Sequence, residues 1–161
     1  MAMRGLLLTS LLSLLVLGCS PKIYEHQLNC KSNTEQILSK FVQLVTSEGL
    51  TVENQDSKLG FANASSSEDF SVCTGVYTRR FWTISVVEGK IFATAKTNTY
   101  TKNIFGTMTG NSDTYYKDDS SQDWGWYWNV RDGLEELCGT KLVIVEKDTW
   151  ERQSTRKKQI N

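Results

Sequence analysis

Histidine and proline each occur once in this 161-residue chain, as His26 and Pro21, and an excess of charge of either sign is missing. Eighteen Lys and Arg balance eighteen Asp and Glu, so no basic field points to nucleic acid. A single imidazole rules out a multi-histidine metal centre, and the four cysteines lack the close C-x₂₋₄-C spacing of zinc sites. The Gly106 to Gly110 stretch has no following Lys-Ser/Thr pair, so no phosphate loop is present. Asp113, Asp118, Asp119 and Asp123 cluster without the spacing of a calcium loop and read as a solvated segment. These gaps leave no catalytic residue, no metal and no cofactor to assign. With charged residues at 22%, the chain is also neither collagen-like nor wholly disordered.

Apolar residues are concentrated at the start. Residues 1–18 hold twelve of them, with Arg4 ahead of a core running from Leu6 to Leu17. As a helix this core spans roughly 18 Å, short of the ~30 Å hydrocarbon layer, so it reads as a secretory h-region rather than a membrane span. It ends in Val16-Leu17-Gly18-Cys19. That tetrapeptide resembles the lipobox of bacterial lipoproteins: a branched apolar residue at −3, a small one at −1 and Cys at +1. Leu17 stands where the family prefers a smaller side chain. The resemblance implies cleavage between Gly18 and Cys19, a diacylglyceryl thioether on Cys19 and acylation, as with palmitate, of the new amino terminus. Several acyl chains anchor stably where one does not. Ser20 follows, and the lack of Asp there resembles Gram-negative cargo sent to the outer membrane.

The remaining chain reads as one domain. Residues 19–29 are expected to form a lipidated tether, residues 30–149 a single α+β body, and residues 150–161 a basic, disordered tail. If Ser20 to Asn29 were extended, the tether would reach roughly 33 Å and hold the body clear of the headgroups.

Within the body, Ser32-Asn33-Thr34-Glu35 predicts a capping box, followed by an amphipathic helix to about Glu48 and a glycine stop at Gly49. Strands are expected at Leu50–Glu53, Leu59–Ala64, Val76–Val87 and Lys90–Thr99, with a tight turn at Glu88-Gly89. The polar stretch Thr101–Asp119 reads as loop, save for a short strand at Thr114–Lys117. A second helix is predicted over Ser121–Cys138, then a buried strand over Leu142–Val145. This order suggests two helices packed on one face of a mostly antiparallel sheet of four to five strands. The stretch from Ile37 through Gly49-Leu50-Thr51-Val52 to Asp56-Ser57-Lys58-Leu59-Gly60-Phe61 is similar to the opening of helix-grip domains in BamC-type envelope lipoproteins, which implies the same α+β fold and no functional residue.

Two features remain for function. With Cys19 reserved for lipid, Cys30, Cys73 and Cys138 would share an oxidising compartment, and spacing does not separate their three pairings. Antiparallel helices would bring Cys30 to Cys138, the pair favoured, leaving Cys73 free or buried. A thiol nucleophile needs a base, and His26 falls in the expected tether. The second feature is Asp123-Trp124-Gly125-Trp126-Tyr127-Trp128. Tyr127 and Trp128 are expected in the core, whereas Trp124 and Trp126 are candidate binding residues, with Trp126 facing outward. The expectation is a non-enzymatic, lipid-anchored envelope protein facing the periplasm, whose partner is another envelope protein or a cell-wall component. The alternative is a small-ligand or glycan-binding lipoprotein with a Trp-lined groove between helices and sheet.

Overall fold

The structure, a computed structural model, describes residues 22–117 and 124–147. Strand β1 (Ile23–Asn29) is followed by helix α1 (Thr34–Ser47), then β2 (Thr51–Asp56), β3 (Phe61–Ser65), β4 (Asp69–Ser71), β5 (Val76–Val87), β6 (Lys90–Lys102) and β7 (Met108–Tyr115). Helix α2 (Gly125–Cys138) and strand β8 (Val143–Lys147) complete the order. All pairings are antiparallel, and the sheet runs β2-β3-β5-β6-β1-β8, with β4 added to β5 and β7 to β6. Among the described residues the fold is therefore α+β with two helices, but the sheet has eight strands rather than four or five.

The largest departure concerns the tether. Ile23–Asn29 is not a linker but a strand between β6 and β8, with His26 opposite Ala93 and Ile144. Only Ser20, Pro21 and Lys22 separate Cys19 from the sheet. The expected tail at residues 150–161 lies outside the described residues, as does the expected first turn of the second helix at Ser121–Asp123.

Local chemistry explains most element boundaries. The capping box forms one residue later than predicted: the Asn33 side chain accepts from the Gln36 amide at 2.9 Å, and the Gln36 side chain accepts from the Asn33 amide at 3.3 Å. Glu88 and Gly89 have φ of 49° and 73°, giving the two-residue left-handed turn that matches the twist of β5 and β6. The expected buried strand at Leu142–Val145 is instead the edge strand β8, and its Val143 is 60% exposed.

One face of the sheet meets both helices. Leu28, Ala62, Ala64, Trp82, Ile84, Val86, Ile91, Ala93 and Ala95 share a core with Ile37, Leu38, Phe41 and Val45 of α1 and Tyr127, Val130 and Leu134 of α2. The alanines opposite Trp82 on β3 and β6 (Ala64 and Ala95) leave room for its indole. Gly133 lets the helices approach, since a Cβ there would lie 2.5 Å from the Leu44 side chain. Glu135 ties α2 to the approach to β8: it accepts from the Leu142 amide at 2.9 Å and pairs with Lys141 at 2.7 Å. Burial pushes its carboxyl upward, but Lys141 and the Leu142 amide together outweigh that and hold it below the usual range.

Gly60 makes the tightest backbone approach. Its φ is +66°, and a Cβ would sit 2.4 Å from the Val86 carbonyl oxygen, while the Val86 amide donates to the Gly60 carbonyl at 2.7 Å. Gly75 has the same φ with nothing within 4 Å of its Cβ position. Gly60→Ala is expected to cost about 2–3 kcal/mol against about 1 kcal/mol for Gly75→Ala, as left-handed strain alone is ~1–2 kcal/mol. Urea midpoints for the two variants check this difference.

Candidate functional site

The lipobox residues Gly18 and Cys19 lie outside the described residues. Cys30 and Cys138 are joined in a disulfide with Cα atoms 4.5 Å apart across 108 residues of sequence, and Cys73 is a free, exposed thiol. The same corner holds two further ties: the Cys30 amide donates to the Gly89 carbonyl at 2.8 Å, and the Thr140 hydroxyl donates to the Asn29 carbonyl at 2.7 Å.

Trp126 is buried and Trp124 half-buried. Trp126, expected outside, is 7% exposed and packs edge-on against Trp82 and Tyr116, with the Arg80 guanidinium 5.8 Å from its ring centre. Trp124 is partly buried against Tyr116. The reason is helical geometry. Trp126, Val130 and Gly133 form one line of buried positions beside Tyr127, Val130, Leu134 and Cys138, so the apolar stripe is broad enough to take both aromatic residues. Tyr127 stacks on Trp82, and Trp128 lies under Arg131 at 4.3 Å.

His26, expected on the tether, is fully buried at the centre of this cluster. Its Nε2 lies 3.0 Å from the Tyr116 carbonyl, which only accepts, so Nε2 carries the proton. Its Nδ1 lies 3.3 Å from the Tyr127 hydroxyl, and the ring packs edge-on to Trp82 and Tyr127. The structure keeps His26 in the core and Cys73 on an exposed turn, so it does not bring the thiol and the imidazole together. The one signal in the sequence was the alternation Ile23, Glu25 against His26, Leu28, obscured because polar side chains fill buried positions.

The second face of the sheet carries alternating aromatic and cationic side chains. Lys90 lies over Phe92 at 5.3 Å, Lys96 over Phe81 at 5.3 Å, and Lys102 over Tyr77 at 4.5 Å. Carboxylates partner three of the cations: Glu53 with Arg79 at 2.5 Å, Asp113 with Lys96 at 2.7 Å and Glu68 with Lys102 at 2.6 Å. Hydrogen bonds from Lys102 and then the Tyr100 hydroxyl hold the Glu68 carboxyl below its usual range. Asp113, from the expected acidic cluster, is thus engaged with Lys96 and Asn98. Among the described residues, no group of three or more His, Cys, Asp and Glu is placed to hold a metal.

One end of the sheet differs in character. The β4–β5 turn presents Val72 and the β6–β7 turn presents Ile104 and Phe105, which are 84%, 93% and 85% exposed. Because Tyr77 pairs with both Phe70 and Tyr100, the two turns project from the same end. This apolar end was not legible beforehand, since Ile104 and Phe105 sit in a stretch whose composition reads as polar loop.

No family model, no curated protein and no solved structure matches the chain.

Proposed function

We propose that this protein is a bacterial lipoprotein, anchored to the cell envelope through Cys19 and holding an α+β interaction body on the periplasmic side of the outer membrane, without a catalytic step. The observation that carries the reading is the Leu6–Leu17 apolar core ending in Val16-Leu17-Gly18-Cys19. Such a segment is too short to span a bilayer and ends at a thiol in the position where lipid is attached. A Cys30–Cys138 bridge supports an oxidising compartment. The partner class is another envelope protein or a cell-wall component. The glycan-binding alternative placed Trp124 or Trp126 at the wall of a groove; Trp126 is buried and Trp124 partly buried.

Metabolic labelling with palmitate in a Gram-negative host tests the reading. The full chain is expected to take up label and to yield a processed protein beginning at Cys19, and Cys19→Ala is expected to abolish both. An unlabelled wild-type chain, or a processed start elsewhere, would overturn it.

A further inference from the structure

Of the eight large apolar side chains exposed among the described residues, five (Phe70, Val72, Ile104, Phe105 and Met108) lie on the two adjacent hairpins at one end of the sheet. The turn residues Val72–Gly75 and Asn103–Thr107 contain no charged side chain. The β6–β7 turn also pairs several of its own polar groups. The Asn103 side chain accepts from the Phe105 and Thr107 amides at 3.0 and 2.9 Å, the Asn103 amide donates to the Thr107 carbonyl at 2.9 Å, and the Gly106 amide donates to the Asn103 carbonyl at 2.9 Å. A tip built this way leaves water without stranding those donors, which is the requirement a bilayer imposes.

The direction of β1 relates this end to the amino terminus of the body. Strand β1 is antiparallel to β6, and His26 opposite Ala93 puts Ile23 at the level of Lys96, so the chain enters the sheet from the end that carries the tips. From that level β6 runs on to Lys102 before its turn, an advance of roughly 20 Å. Cys19 and Ile23 are separated only by Ser20, Pro21 and Lys22, so their Cα atoms are at most about 14 Å apart. A lipid on Cys19 would thus be joined to Ile23 by less chain than separates Ile23 from the tips along the sheet.

We propose that the β4–β5 and β6–β7 turns, through Val72, Ile104 and Phe105, insert into the interfacial region of the same phospholipid bilayer that holds the Cys19 lipid. The proposal rests on the lipoprotein reading and adds a second, non-covalent contact that fixes how the body stands on the membrane.

Cys73, exposed beside Val72, is a native reporter, because Cys30 and Cys138 are bonded and Cys19 would be thioether-linked. The full lipidated protein, purified from membranes and labelled there with a polarity-sensitive fluorophore, is reconstituted into phosphatidylethanolamine–phosphatidylglycerol vesicles with or without brominated acyl chains. The expected result is blue-shifted emission, quenched about twofold or more by the brominated chains and insensitive to added salt, since the tips bear no charge. In Ile104→Ser/Phe105→Ser, which alters only exposed side chains, both effects are expected to be lost. Water-like, unquenched emission from acylated protein would overturn the docking while leaving the lipoprotein reading intact. So would a blue shift that grows with protein density but is indifferent to brominated lipid, which would assign the tips to a protein contact. A chain without acyl label on Cys19 would overturn both.

Discussion

Replacing Cys30 and Cys138 together by alanine is expected to lower stability by about 4 kcal/mol. The bridge closes a 108-residue loop, and a constraint of that length removes ~4–5 kcal/mol of denatured-chain entropy. It also clamps the end of β1 to the end of α2 at the corner where Thr140 and Gly89 make their backbone ties. Thermal unfolding should therefore shift down by roughly 10–20 °C, and reductant should produce a similar shift in the unaltered protein. Cys73→Ala, at an exposed turn outside the bridge, is expected to stay within about 0.5 kcal/mol. Equal midpoints for the double variant and the parent would exclude the bridge as a stabilising element.

Trp82→Ala is expected to cost about 3–5 kcal/mol, the range for an aromatic side chain removed from a packed core. Trp82 is fully buried on β5, and its ring stacks on Tyr127 at 5.5 Å and meets Trp126, Phe41 and His26 edge-on at 6.0–6.5 Å. One side chain thus joins α1, α2, β1 and the sheet. Its Nε1 finds no hydrogen-bond partner among the described residues, so packing supplies its contribution. Whole-domain stabilities lie at ~5–15 kcal/mol, so a loss of this size shows plainly in a urea titration. A cost under about 1 kcal/mol would mean that the helices do not pack on this ring.

The parts of the fold legible in the sequence are those where one physical signal dominates. Within β5, Trp82, Ile84 and Val86 alternate with Thr83 and Ser85 because one row faces the helices and the other does not, and Glu88-Gly89 supplies the turn chemistry that fixes the β5–β6 register. The two helices are legible from their three- and four-residue apolar spacing. Strands β1 and β7 were hidden for opposite reasons. In β1, Glu25 and His26 occupy buried positions, so the alternation is not one of hydrophobicity; Glu25 is held by Lys147 at 2.6 Å and His26 by Tyr116 and Tyr127. In β7, Met108–Tyr115 is mostly exposed and polar, and its structure comes from pairing with β6 rather than from burial. Trp126 departs from the outward position expected beside a buried Tyr127, because the first turn of α2 buries both adjacent aromatic residues. The hairpin tips depend on which strands are neighbours, and that information is non-local.

The native bridge passes over Cys73, and this has a consequence for biogenesis. A polypeptide threaded amino-terminus first through a translocon delivers Cys30, then Cys73, and only later Cys138. Cys30 and Cys73 are also the closer pair along the chain, and shorter loops close more readily. Were the chain exported as proposed, with Cys19 held by lipid, the first crosslink open to an oxidase would be Cys30–Cys73. The native pair would then arise by attack of the Cys138 thiolate on Cys30, releasing the Cys73 thiolate, the exchange that a disulfide isomerase catalyses.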